Sequence, residues 1–135
     1  MIVSREKAEL SSPAAVTDLL KKILRKEDCL SKDKEHFWVI IVDTRNKVRF
    51  VELVSLGTMN SSLVHPREIF RRAIKRGASS IILGHNHPSG NPEPSEEDLR
   101  ITKRIVEAGK IIGIEVLDHV VIGAAGYSFK EKGLI

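Results

Sequence analysis

The chain has one cysteine, Cys29, among 135 residues. A single thiol excludes an internal disulfide and a cysteine-built zinc cluster. A reducing, cytoplasmic setting is the simplest one for such a chain. Cys29 lies in a polar connection with no catalytic partner in the adjoining sequence, so its only prospective role is that of an exposed thiol. Aromatic residues make up 4% of the chain, too few for a platform on which single-stranded nucleic acid would stack. Apolar runs never reach the length of about eighteen residues that a transmembrane helix needs, so no membrane partner is expected. The start, MIVSREKAEL, lacks the apolar segment of a secretory signal. What remains is a globular composition, 41% apolar and 30% charged, with a formal charge of +4. The mild positive charge permits contact with nucleic acid or acidic proteins without requiring either.

Hydropathy patterning predicts a single α/β domain with a mixed sheet flanked by helices. Ser12 and Pro13 form an N-cap and first helical position, and Val16, Leu19, Leu20, Ile23 and Leu24 recur at helical spacing, predicting a helix over 13–25. HFWVIIVD is apolar almost throughout, as in a strand buried on both faces. After the turn TRNK, VRFVELVSLG completes an antiparallel hairpin. Pro66 opens a second helix with the stripe Ile69, Phe70, Ala73 and Ile74, stopped by Gly77. SSIILGHNH is a third strand, Ser95 begins a third helix running to about Lys110, and IEVLDHVVIG and GYSF are the last strands. No internal repeat or long linker divides the chain.

The chemistry concentrates in GHNHPSGNPEPSEED, residues 84–98. Residues two apart on a strand share a face, so His85 and His87 project their imidazoles to the same side of the strand's end. Pro88 ends the pairing, the Gly- and Pro-rich loop reverses the chain, and Asp98 falls in the first turn of the next helix. Two imidazoles and a carboxylate suit zinc with a fourth position left for water. Asp98 also completes a capping box with Ser95, a role compatible with ligation. Such a site needs a base. Glu35, Glu52 and Glu68 are candidates, and composition does not choose among them. Pairing of strand 37–43 with strand 79–87 would bring Glu35 near the histidines.

The segment resembles the JAMM metalloprotease motif of the MPN (JAB-type) domain, most closely its bacterial RadC branch. HxH, seven residues, Ser, two residues, Asp is matched at every position by His85, His87, Ser95 and Asp98. HPREIFRRAIKRGASSIILGHNHPSG, IEVLDHVVIG and GYSFKEKGLI extend the likeness over residues 34–135, about three quarters of the chain. The resemblance implies a cytidine-deaminase-like architecture, Zn2+ held by His85, His87 and Asp98, and hydrolysis of a peptide or isopeptide amide in a peptide or protein substrate. It implies Glu35, fifty residues before His85, as general acid/base, and Ser95 as a donor to the tetrahedral oxyanion. The domain so delimited, 34–135, follows an N-terminal helical extension, 1–33. Longer RadC proteins carry a helix-hairpin-helix region there, so this chain is a short member or a fragment of a longer protein.

Other features have plainer readings. Arg67, Arg71, Arg72, Lys75 and Arg76 form the polar face of the second helix, with a phosphate or acidic-partner surface as the alternative. His65 and His119 are structural histidines or outer partners of the ligands, with Asp118 a possible acceptor. His36 beside Trp38 is strand packing. The loop 57–65 is the candidate for gripping an extended substrate. Two further function classes stand beside the hydrolase: a DNA-repair-associated protein acting on or binding nucleic acid, and a non-catalytic MPN interaction module. The letters HNH also occur in a nuclease motif, but that site is a hairpin plus helix, whereas these histidines end an apolar strand. A degenerate module would lack ligands, and this chain keeps all three.

Overall fold

Strand β2, Glu35–Val42, is the axis of the sheet, and from Phe37 onward each of its residues is buried. The computed structural model describes residues 2–5, 12–27, 32–57 and 64–135. Cys29 and most of the loop 57–65 lie outside them. In chain order the elements are β1 (Ile2–Ser4), α1 (Pro13–Arg25), β2, β3 (Val48–Gly57), α2 (Pro66–Lys75), β4 (Ser80–Asn86), α3 (Glu96–Ile112), β5 (Glu115–Ile122) and β6 (Gly126–Ser128). The sheet runs β1-β3-β2-β4-β5-β6. Only β4 and β5 pair in parallel, joined by the crossover through α3; the other pairs are antiparallel, so the sheet is mixed.

The predicted hairpin, helices and four longer strands are all present. Three residues of β1 against β3 add a strand too short to leave an alternation in the sequence. The β2–β3 turn is fastened by Asp43, whose Oδ1 accepts the Arg45 and Lys47 N–H groups, with Asn46 at φ 59°. Asn tolerates this left-handed conformation better than most residues.

Alternation along β2 divides the core in two. Phe37, Val39 and Ile41 pack with Ile69, Phe70 and Ala73 of α2 and Ile101 and Ile105 of α3. Trp38, Ile40 and Val42 face Val16, Leu19, Leu20 and Ile23 of α1. The result is three layers, α1 on one side of the sheet and α2 with α3 on the other. Helix α1 approaches closely: a β-carbon on Gly84 would lie 2.5 Å from Leu20 Cδ1, and one on Gly126 would strike the Thr17 hydroxyl. Among the described residues, no helix is long and apolar enough to cross a membrane.

Candidate metal centre

Strand β4 ends in the pair of histidines, and α3 begins opposite them. Ser95 caps α3: its Oγ accepts the Asp98 N–H at 3.1 Å, while the Ser95 N–H donates to Asp98 Oδ2 at 2.8 Å. This reciprocal box satisfies two helix-end donors and fixes the Asp98 rotamer. The intervening loop is pinned to the β5–β6 turn by His87 N–H to the Ile122 carbonyl and Ala124 N–H to the Gly90 carbonyl, both 2.8 Å. Gly123 makes that approach possible, since a β-carbon there would sit 2.4 Å from the Gly90 oxygen.

These constraints bring His85, His87 and Asp98 together. The two Nε2 atoms are 2.9 Å apart, and Asp98 Oδ2 lies 3.2 Å from that of His85 and 3.0 Å from that of His87. Burial pushes the Asp98 carboxyl upward, but His85, the Ser95 N–H and His87 outweigh it and hold the group well below the ordinary carboxylate range. It is the ionised form that faces the histidines.

The donor set can be tested for a metal by counting protons. The His87 Nδ1–H donates to the Asn91 carbonyl at 2.8 Å, leaving a lone pair on Nε2. His85 Nδ1 stands 2.7 Å from His119 Nε2, and His119 Nδ1 stands 2.5 Å from Thr102 Oγ1. The Thr102 hydroxyl donates to the Asp98 carbonyl, 2.7 Å away. With its proton so placed, Oγ1 accepts from His119 Nδ1–H, His119 Nε2 accepts from His85 Nδ1–H, and His85 Nε2 is left with a lone pair. In these neutral tautomers, the ones a metal ion requires, two lone pairs and a carboxylate oxygen converge. Ligands 2.0–2.2 Å from a tetrahedral zinc stand roughly 3.3–3.6 Å apart. The observed triangle is a few tenths of an ångström tighter, and the three residues fit a metal ion.

Burial pushes the His119 imidazole well below its ordinary value, so it stays neutral with one donor and one acceptor. Its ring is stacked on Phe129 at 4.6 Å and meets Phe37 edge-on at 5.6 Å. Asp118, considered as the acceptor for a ligating histidine, is used elsewhere. It takes hydrogen bonds from the His119 N–H, Ser128 Oγ and Lys130 N–H, tying β5 to the C-terminal segment. His65 is the N-cap residue of α2, outside the ligand group.

The three candidate bases are treated differently. Glu52 is buried against Arg72 and Arg76, at 3.8 and 3.2 Å. Glu68 accepts from Arg71 and Arg72, whose hydrogen bonds hold its carboxyl below the ordinary range. Glu35 lies at the start of β2, half-buried. Phe37 pairs with His85 at the end of the antiparallel ladder, and Glu35 lies two residues before Phe37, at that same end of β2. It shares a strand face with Phe37, whose ring stacks on His85.

Asn86, between the histidines, clamps that segment. Its Nδ2 donates to the Lys34 carbonyl at 3.0 Å and its Oδ1 accepts the His36 N–H at 2.6 Å, so one amide holds the chain on both sides of Glu35. Neither Asn86 nor Thr102 was singled out from sequence. Thr102 had a usable signal, lying one helical turn after Asp98. The basic face of α2 is largely matched: three of its five cations, Arg71, Arg72 and Arg76, meet Glu68 or Glu52.

Comparison with known proteins adds a family. A family model described as a RadC-like JAB domain matches residues 10–134. A UPF0758 protein of Caldanaerobacter subterraneus subsp. tengcongensis is 53% identical over 129 residues, 95% of this chain and 53% of that protein. UPF0758 proteins of Symbiobacterium thermophilum and Clostridium acetobutylicum are 59% identical over 102 residues and 50% over 133, covering 44% and 56% of those proteins and 75% and 98% of this chain. The chain therefore spans about half the length of the curated relatives it matches.

Proposed function

Because the chain belongs to the RadC-like JAB domain family, we propose that it is a zinc-dependent hydrolase of the JAMM type, cleaving a peptide or isopeptide amide bond. The observation that carries this reading is the convergence of two imidazole Nε2 atoms and a carboxylate oxygen within 3.2 Å of one another. His85, His87 and Asp98 would hold the zinc, which when bound polarises a carbonyl and brings the pKa of a water toward about 7.

The remaining work falls to the chain's own residues. Glu35, held between residues 34 and 36 by the Asn86 amide, takes the proton from the attacking water and returns it to the departing nitrogen. Ser95 uses its oxygen as the acceptor of the helix cap, which leaves its hydroxyl proton to donate to the oxyanion. The place of Glu35 at the start of β2, on the strand face of Phe37, whose ring stacks on His85, supports Glu35 as that base. The substrate is a peptide or protein chain. A nucleic-acid partner has less support, since much of the α2 basic face is already paired with acids.

The test combines metal content with hydrolysis. The purified protein should retain about one zinc and cleave members of a peptide and isopeptide substrate panel, and Glu35→Gln should keep the zinc while losing about 10²–10⁴-fold in rate. A Glu35→Gln protein with full zinc and the wild-type rate would overturn the assignment of the base.

A further inference from the structure

We propose that Thr102 and His119 are positioning residues that hold His85 in the one tautomer able to bind metal, through a hydrogen-bond relay that ends on the backbone of a second ligand, Asp98. The proposal rests on the reading of His85, His87 and Asp98 as a metal site.

The relay runs His85 Nδ1–H to His119 Nε2, His119 Nδ1–H to Thr102 Oγ1, and Thr102 Oγ1–H to the Asp98 carbonyl, at 2.7, 2.5 and 2.7 Å. Each link has one proton, so the links share a direction. Run forward, they leave a lone pair on His85 Nε2. Run backward, with Thr102 donating to His119 and His119 donating to His85, they place a proton on that same nitrogen and close it to a metal. The Asp98 carbonyl can only accept, and its position beside Thr102 one helical turn away favours the forward direction. His85, Thr102 and His119 are all at most 1% exposed, so water does not substitute for a missing partner. Phe37 and Phe129 pack on the His119 ring and restrict its rotation. Three elements are joined in this way: β4 carries His85, β5 carries His119, and α3 carries Thr102 and Asp98.

Thr102→Val keeps the shape and removes the acceptor. The His119 proton then has nowhere to go at Nδ1 and moves to Nε2, where it opposes the His85 donor. Outer partners of ligating histidines are worth about 10–100-fold in metal affinity. Competition against a chromophoric chelator should therefore show Thr102→Val binding zinc about 10–100-fold more weakly than wild type, with Thr102→Ser restored to near the wild-type value. Imidazole ¹⁵N–¹H correlation spectra supply a readout that needs no metal: His119 should carry its proton on Nδ1 in the metal-free wild type and on Nε2 in Thr102→Val. A wild-type His119 protonated on Nε2 overturns the relay even if the valine variant does not fold. So does a folded Thr102→Val protein with wild-type zinc affinity. A wild-type protein that fails to bind zinc in the same competition overturns the metal reading itself, and the relay's purpose with it.

Discussion

His36 and His119 are both wholly inaccessible to solvent, and both stack on an aromatic ring, yet they do opposite things. His36 lies on the α1 side of the sheet against Trp38. Its Nδ1–H donates to the Lys34 carbonyl, while its Nε2 has no hydrogen-bond partner among the described residues and stands 4.0 Å from the Glu27 carboxylate. His119, on the other side, spends both nitrogens on directional bonds, one to His85 and one to Thr102. Burial and stacking alone thus say nothing about whether a histidine serves a site. The fate of its second nitrogen does. An imidazole with both positions committed transmits orientation, whereas one with a single commitment fills space.

The contrast can be broken or sharpened by experiment. Removing a proposed ligand outright should have the largest effect: His87→Ala, at the least buried corner of the constellation, is expected to lose stoichiometric zinc on dialysis while still unfolding cooperatively. Substituting the two buried histidines by phenylalanine comes next. His119→Phe should weaken zinc binding about 10–100-fold, and His36→Phe should leave it roughly unchanged; equal zinc affinities in the two variants would erase the distinction drawn between them. The smallest effect is on the metal-free protein in acid. Asp98 has a folded pKa held below its unfolded value of about 3.9, so its contribution to stability is present above that value and fades as pH falls toward the folded one. Asp98→Asn retains an acceptor for the Ser95 N–H but not the charge. Denaturant midpoints of wild type and Asp98→Asn, followed from pH 7 downward, should converge below about pH 4; a gap that widens with acid would contradict the depressed carboxyl.

Much of this architecture could be read from local pattern. The period-two placement of His85 and His87 on an apolar strand, Pro88 ending the strand, and Asp98 three residues after a Ser cap are nearest-neighbour facts, and they suffice to gather these three residues. The pairing of strands 37–43 and 79–87, on which the approach of Glu35 to the histidines depends, is present as the β2–β4 ladder. What escaped depended on relations that no local window contains. His119 reaches His85 only because β5 lies parallel to β4, with Leu83 opposite His119. Thr102 matters only because α3 turns that face toward β5. Asn86 projects away from its flanking histidines, so its hold on residues 34 and 36 becomes visible only where the backbone ladder stops and a side chain takes over. The three residues of β1 carry too little pattern to be seen at all.

The bare α-carbon of Gly84, lodged against Leu20, has a consequence for how the molecule breathes. Leu20 sits in the middle of α1 and is fully buried, and Gly84 directly precedes His85. If α1 lifts from the sheet, the strand beneath the histidines loses its cover, so both belong to one cooperative opening unit. Amide exchange at Leu20 and at His85 should then slow together when zinc is added, although only one of them is near the ion.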